Sequence, residues 1–113
     1  MSLFGRPFGR AREKREGVVA AERATREHLA RFAAERAGVE AYIEPTTRST
    51  PTTMVLVALT GEWTRRRVPD ERAAREIARA LAIPVYDVQL TGYPRRMREW
   101  NAKQRRGGGP PRT

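Results

Sequence analysis

The sequence contains no cysteine and only one histidine, His28, among its 113 residues. Without cysteine the chain can form no disulfide, and it has no thiolate for a zinc ribbon, an iron–sulfur cluster or thiol chemistry. One histidine is too few for a transition-metal site, so we predict neither a metal nor a cofactor. The chain also lacks the apolar run of about 18 residues that a membrane-spanning helix requires and the apolar segment of a secretory signal. These absences favour a small soluble protein of the bacterial cytoplasm.

Basic residues outnumber acidic ones by 23 to 13, which gives a formal net charge of +10. Lysine is scarce, since every basic residue except Lys14 and Lys103 is an arginine. Arginine suits phosphates and planar bases because its guanidinium is a flat fork of donors, although a GC-rich genome would produce the same preference. The charge is +4 over residues 1–38, zero over 39–93 and +6 over 94–113, so the excess lies at the two ends.

Composition and periodicity divide the chain into one α+β domain and two tails. The domain spans 11–104 and consists of a long helix over 11–38, a core over 39–93 and a short C-terminal helix over 94–104. Residues 1–10 are rich in glycine, arginine and proline, which opposes a helix and predicts a flexible basic tail. Residues 105–113, RRGGGPPRT, are predicted to be a disordered basic tail.

The core is expected to be one small mixed sheet of about four strands. Strands are predicted over 39–45, 54–59, 63–68 and 85–90, with a hairpin 54–60/62–68 and a central helix over 70–82 that joins two parallel strands. Glu40, Tyr42 and Glu44 alternate with apolar residues, which predicts that one face of the first strand is in contact with water. The continuous apolar run over 54–59 predicts a central strand covered on both faces. Gly61 favours a two-residue hairpin turn.

The first helix carries a narrow apolar stripe. Val18, Ala21, Leu29 and Phe32 recur at helical spacing within it, and its other faces are charged. Such a stripe is typical of a helix that lies over a sheet or against a partner chain.

The element order from residue 20 to 82, α-β-β-β-α, resembles that of the double-stranded-RNA-binding domain. That family places a lysine-rich motif at the start of its second helix, where it contacts RNA phosphates. Here the segment is Pro69-Asp70-Glu71-Arg72-Ala73-Ala74, which begins acidic, and a further strand follows. The resemblance covers element order alone, and none of the family's binding residues is transferred to this chain.

No set of side chains suggests catalysis, so the chain is predicted not to be an enzyme. His28 has no serine partner that the sequence brings near it, because Ser49 lies in a polar loop. Glu40 and Glu44 lie about 13 Å apart along one strand, too far for an acid–base pair. The loop over 46–53 carries six hydroxyl residues. We interpret it as a loop that its own hydroxyls cap, with phosphate binding or phosphorylation as the alternative.

The first candidate binding site lies on the strand over 63–68. Trp63, Arg65 and Arg67 are expected on one face of it, and an aromatic ring beside alternating arginines can hold single-stranded nucleic acid. The alternative is an edge strand whose charges prevent pairing with another chain.

The second candidate site is the basic C-terminal segment. Its candidate nucleic-acid-binding residues are Arg95, Arg96, Arg98, Trp100, Lys103, Arg105 and Arg106. Charges interleaved with aromatic residues on a terminal helix suit nucleic acid, whereas a helix docked on the core would leave the arginines solvated. If the arginine excess has a function, we expect removal of residues 94–113 to remove most of it and to leave the fold intact.

The sequence therefore predicts a small, basic, non-catalytic protein that binds nucleic acid or accompanies a ribonucleoprotein. It would contact the phosphate backbone of RNA or DNA, ribosomal RNA included, mainly through its C-terminal segment. The alternative is a protein-interaction module that docks on a partner, or forms a homodimer, through the helix over 11–38 and has no nucleic-acid role. We expect no membrane-surface role and no small-molecule ligand.

Overall fold

The computed structural model describes the backbone of residues 5–107 and the side chains of residues 11–107. Its elements in chain order are α1 (Gly5–Glu35), β1 (Glu40–Glu44), β2 (Thr53–Val57), β3 (Trp63–Arg67), α2 (Glu71–Ala80), β4 (Val85–Asp87), α3 (Val88–Thr91) and α4 (Arg95–Arg106). The strands form one mixed sheet in the order β3-β2-β1-β4. Only the β1–β4 pair is parallel, and the two other pairs are antiparallel. The predicted α+β class with four strands is confirmed.

The interior strand β2 is covered on both faces, as the apolar run predicts. Met54 and Leu56 contribute to the core under α1 and α2. Val55 and Val57 contribute to a second core under α4. All four side chains are fully buried, so the sheet is the middle of three layers.

The larger core lies between the sheet and the helices α1 and α2. It consists of Leu29, Phe32, Val39, Ala41, Ile43, Met54, Leu56, Ala58, Val68, Ala74, Ile77 and Ala78. Helix α2 forms as predicted, because the Asp70 carboxylate accepts a hydrogen bond of 2.8 Å from the backbone N–H of Ala73 and satisfies the helix N-terminus.

Only the C-terminal half of α1 packs on the sheet. Leu29 and Phe32 are buried, whereas Val18 of the same predicted stripe is 56% exposed, and every residue from 12 to 20 is exposed. The helix also begins at Gly5, inside the segment predicted as a tail, and ends at Glu35. The predicted bounds of 11–38 are therefore shifted towards the N-terminus. Residues 1–4 and 108–113 of the predicted tails lie outside the described residues.

The face of β1 that carries Tyr42 is not open to water. Tyr42 is only 5% exposed, because α4 lies over this face and buries Met97 against it. The prediction of a wet face is wrong for a physical reason. The alternation along β1 reports two chemically different faces, but a polar face can also be covered when its charges are paired.

The last strand is shorter than predicted. It ends at Asp87 instead of residue 90, because the Asp87 carboxylate accepts a hydrogen bond of 2.8 Å from the backbone N–H of Gln89 and starts the short helix α3. Strands β3 and β4 run parallel to each other, as predicted. They occupy opposite edges of the sheet, however, with β2 and β1 between them.

The β2–β3 hairpin closes through a longer turn than the two-residue one predicted. Ala58 and Glu62 are joined by a backbone hydrogen bond of 2.8 Å, and the N–H of Gly61 donates to the carbonyl of Ala58 at 2.9 Å. Gly61 has φ of +95°, so a turn and a left-handed residue close a three-residue loop. A Cβ at Gly61 would lie 2.1 Å from the backbone oxygen of Arg96 in α4.

The loop tip and α4 therefore touch backbone to backbone, which only glycine allows. We predict that Gly61→Ala lowers the free energy of unfolding more than Gly92→Ala does, by about 1–3 kcal/mol, the usual cost of overpacking. Gly92 is the matched control, because it also has a positive φ, +70°, but a Cβ there meets nothing within 4 Å. Both variants carry a backbone strain of about 1–3 kcal/mol. Urea denaturation measures the difference, and equal losses would contradict the close contact.

Candidate functional site

The C-terminal helix α4 docks on the sheet through an apolar side chain and two polar anchors. Met97 is 4% exposed and packs with Tyr42, Val55 and Val57 in the smaller core. This core includes part of Trp63 and Tyr93 at its margins. The face that a nucleic-acid-binding sheet would present to bases is thus occupied by the protein's own helix.

Arg96 is the first polar anchor. Its Nε donates to the carbonyl oxygen of Ala58 at 2.9 Å, and its Nη2 donates to Glu40 Oε1 at 2.8 Å. The hydroxyl of Tyr42 donates to the same oxygen of Glu40 at 2.9 Å. Burial, together with this bond to a carboxylate, raises the pKa of Tyr42 to about 12. Arg96 thus joins α4 to β1 and β2, so its charge serves the fold.

Trp63 is the second anchor. Its Nε1–H donates to Asn101 Oδ1 of α4 at 2.8 Å, and the guanidinium carbon of Arg65 lies 5.0 Å from the centre of its ring. The predicted alternation is correct, because Trp63 and Arg65 lie on the same face of β3. The indole is already bonded and partly covered, however, so it is not a free platform for a base.

The half-buried carboxylate of Glu44 binds several side chains at the other end of the sheet face that α4 covers. Glu44, whose side chain is 16% exposed, pairs with Arg65 Nε at 2.7 Å and with Arg65 Nη2 at 2.9 Å. It also accepts hydrogen bonds from Thr53 Oγ1 and from the Tyr93 hydroxyl. Burial alone would raise the pKa of Glu44, but these bonds, Arg65 first, outweigh it and lower the pKa to about 2. Charge-assisted bonds of this kind fix side chains in one geometry.

An open groove lies above the Glu44 carboxylate and has a volume of about 620 Å³. Its walls come from the end of β3, from α3 and from the segment that leads into α4. The residues that line these walls are Arg65, Arg66, Arg67, Val88, Gln89 and Tyr93. This groove could not be predicted from the sequence, because the end of β3 and the residues of α3 that line it lie about twenty positions apart in the chain. The one signal present was the polar alternation of β1, which ends at Glu44.

The threonine-rich loop forms the remaining rim of the groove. Thr47 Oγ1 accepts hydrogen bonds from the backbone N–H groups of Ser49, at 3.3 Å, and of Thr50, at 3.0 Å. Thr46 and Thr52 share a hydrogen bond of 2.5 Å between their hydroxyls. The loop therefore caps itself, which is the interpretation that the sequence favoured.

The remaining predicted site residues lie on α4 and at the end of β3. Arg95 pairs with Glu99 on its own helix at 3.1 Å, and Arg98 donates to the carbonyl of Tyr93 at 2.7 Å. Trp100 is partly buried against Gly61. Arg95 and Arg98 therefore bond within the first turns of α4 or to the segment before it, and Trp100 packs on the loop that joins β2 and β3.

Three cations at the end of α4 differ from the other arginines of the helix. Lys103, Arg105 and Arg106 are exposed, and their side chains form no hydrogen bond or ion pair among residues 11–107. We call them the terminal cluster. Arg67, at the end of β3, is also exposed and has no polar partner among the residues described. The sites predicted from the sequence thus divide into side chains bound internally and side chains that face solvent.

The candidate catalytic residues considered in the sequence all have structural partners. Glu40 and Glu44 bind Arg96 and Arg65 respectively. His28 Nε2 lies 2.7 Å from the Thr64 hydroxyl, and burial, with the nearby arginines, lowers its pKa. In the part of the chain that the structure describes, no group of three histidine or carboxylate side chains could hold a metal ion.

The docking of α4 is inconsistent with the expectation that residues 94–113 can be removed while the fold stays intact. Deletion from residue 94 would remove Met97 and Arg96 and expose Val55 and Val57. A deletion that begins at residue 104 would keep every anchor of the helix.

No protein-family model matches the chain, and no curated protein or solved structure is significantly similar to it. None of the helices over 5–107 is both long and apolar enough to cross a membrane.

The Glu44 network makes stability depend on acid pH. The pKa of Glu44 falls from the usual 4.5 to about 2 on folding, so the folded state binds fewer protons between these values. We therefore expect its contribution to the free energy of unfolding to be complete above pH 4.5 and to be lost as pH falls towards 2. Denaturation of Glu44→Gln over this range should show a smaller dependence on pH than the wild type.

Glu99→Gln is the matched control, because Glu99 is an exposed carboxylate paired only with Arg95 on its own helix. It should retain the pH dependence of the wild type. An equal reduction in both variants would contradict a special role for Glu44.

Proposed function

We propose that this chain is a non-catalytic, cytoplasmic protein that binds the phosphate backbone of RNA or DNA through the terminal cluster of α4. The observation that carries the proposal is the solvent-facing position of Lys103, Arg105 and Arg106 on a helix fixed to the core. Cations with no internal partner are free to neutralise phosphates and release counterions, which supplies most of non-specific nucleic-acid binding.

Rigid placement strengthens this interaction. Met97 and Asn101 hold α4 on the sheet, so the backbone that carries the terminal cluster is fixed before a ligand binds and loses less entropy when it does. The helix C-terminus also favours cations there. The proposal therefore assigns the terminal cluster two compatible effects: it supports the helix end and presents charge to a phosphate chain.

The proposed interface is narrower than the list of residues predicted from the sequence. Arg96, Arg65 and Trp63 have internal partners and are assigned to the fold. Arg67, at the end of β3, is a fourth solvent-facing cation of the interface in addition to the three of the terminal cluster. Phosphate contacts carry no base information, so we expect binding without sequence preference from these residues.

A specific observation favours the alternative function, which is docking of α1 on a protein partner or on a second copy. Val18 and Val19 are 56% and 53% exposed, and they lie on the half of α1 that does not pack on the sheet. Light scattering tests the homodimer: a mass twice that of the chain would support it, whereas a monomer that still binds nucleic acid would favour the proposal above.

The central test is fluorescence anisotropy with labelled RNA and DNA at several salt concentrations. The variant carries Lys103→Gln, Arg105→Gln and Arg106→Gln together. We expect the slope of log affinity against log salt to fall in magnitude by about 2 to 3, because each phosphate contact contributes about 0.7–0.9 to it. Circular dichroism should show that α4 remains folded.

The matched control removes the same charge elsewhere, through Arg72→Gln, Arg75→Gln and Arg79→Gln. These three residues lie on the exposed side of α2, on the opposite layer from α4. Their replacement should change the slope much less. The proposal fails if the wild type shows no binding at about 50 mM salt, or if both triple variants lose affinity equally.

A further inference from the structure

We propose that the groove above Glu44 binds one nucleotide unit, a phosphate with an unpaired base. The unit would belong to a single-stranded nucleic acid that the terminal cluster also contacts, so the inference rests on the proposed function and deepens it. The same chemistry is present in a free mononucleotide, and the experiments below separate the two sources.

The size of the groove suits such a unit. Its volume of about 620 Å³ falls within the range of about 300–1,000 Å³ typical of small-molecule sites. Val88 on α3 and Pro45 after β1 supply apolar surface. Tyr93 also lines the groove, and the bond from its hydroxyl to Glu44 holds the ring in place.

The charge of the groove selects an anion. Three arginines, Arg65, Arg66 and Arg67, line it together with one carboxylate, Glu44. Arg65 and Glu44 neutralise each other through two hydrogen bonds, and the Arg66 side chain lies on the other face of the sheet beside His28, so the surplus charge comes from Arg67. A phosphate accepts hydrogen bonds from a guanidinium in the same geometry as a carboxylate does.

Arg66 and Arg67 project from opposite faces of β3. Arg66 donates to the carbonyl of Arg65 at 2.8 Å and lies 3.4 Å from His28 Nδ1, so its charge lies on the α1 side of the sheet, away from Glu44. Arg67 forms no hydrogen bond or ion pair with any side chain that the structure describes. Arg67 is therefore the principal phosphate ligand of the proposed site.

An unpaired base has contacts available at the opposite wall. Tyr93, unlike Trp63, lines the groove, so the part of its ring that the smaller core leaves uncovered can stack on a base, because every base has a π face. The amide of Gln89 is exposed at the mouth and has no side-chain hydrogen bond among the described residues, so it can bond to a base edge. A paired base could not enter, because its edge and faces are covered within a duplex. The site thus predicts a preference for single strands.

One strand can contact both the groove and α4. Trp63, which is bonded to Asn101 of α4, and Arg67 stand four residues apart on β3, a distance of about 13 Å. The terminal cluster begins two residues after Asn101, so the strand must extend beyond this distance to contact both sites. The phosphates at α4 would contribute affinity, and the groove would distinguish a base from a bare backbone.

The first experiment compares three ligands by fluorescence anisotropy: a single-stranded DNA of about eight nucleotides, the same strand with abasic sites throughout, and its duplex. The abasic strand has the same phosphates but no base. We expect it to bind at least about fivefold more weakly, the lower limit of the usual effect of stacking one base on an aromatic ring. The duplex should bind more weakly than the single strand does.

The second experiment alters the groove without altering its charge. Gln89→Leu removes the amide at the mouth and adds no aromatic ring, and it should reduce the difference between the normal and abasic strands while the salt slope stays unchanged. Arg67→Gln should weaken the normal strand more than Arg79→Gln does; Arg79 is an exposed arginine of α2 that is distant from the groove. Thermal unfolding confirms that each variant is folded.

The third experiment is an NMR titration with adenosine monophosphate, and with a glutamate-rich peptide as the competing anion. Shifts confined to Gln89, Tyr93 and Arg67 on addition of the mononucleotide would support the site. Shifts with the peptide alone would overturn it and indicate an acidic protein segment as the occupant.

The outcomes separate this inference from the proposed function. If the wild type binds normal and abasic strands equally and Gln89→Leu has no effect, the groove inference is wrong and the phosphate-binding function stands. If no strand binds but the mononucleotide shifts the groove resonances, the groove is a small-molecule site and the proposed function is wrong. If neither ligand has an effect, both are wrong.

Discussion

The burial of β2 on both faces is the constraint from which the rest of the structure follows. Four consecutive apolar side chains, Met54 to Val57, are fully buried on alternating sides, and each side needs its own cover because exposed apolar area is costly. Helices α1 and α2 cover one side. The other side is left to a short helix whose sequence is mostly charged, so α4 docks with one buried methionine and several polar anchors.

The need to cover this side of the sheet determines which arginines are paired within the fold. Covering a face that carries Glu40 and Glu44 would leave two carboxylates short of water, which is unfavourable unless they are paired. Arg96 pairs with Glu40 and Arg65 pairs with Glu44, so the charges of both arginines are neutralised within the fold. Each such pair removes one cation and one carboxylate, so the net charge of +10 is left for other cations to carry. Exposed cations lie at the end of α4, at the end of β3, along the exposed part of α1 and at Arg48 and Arg79.

Local patterns predicted the elements well and their surroundings less well. The period of 3.6 residues and the Asp70 cap identified α2, and the apolar run identified β2 as an interior strand. The alternation in β1 did show two kinds of face, but it did not show that α4 covers the polar one. Trp63 and Arg96 were assigned to binding for the same reason, because their partners, Asn101 and Glu40, are distant in sequence. The groove was missed because no single segment contains it.

The amino-acid sequence by itself determined the α+β class, the number of strands, the interior position of β2 and the excess of charge at the chain ends. These properties depend on period, composition and neighbouring residues, which are local. Only the tertiary structure decided which cations are free, why Gly61 must be glycine and where a groove opens above Glu44. These depend on contacts between residues 20 to 60 positions apart, such as Glu44 with Arg65 and Tyr93, or Glu40 with Arg96. Packing selects such pairs, and no local pattern specifies them.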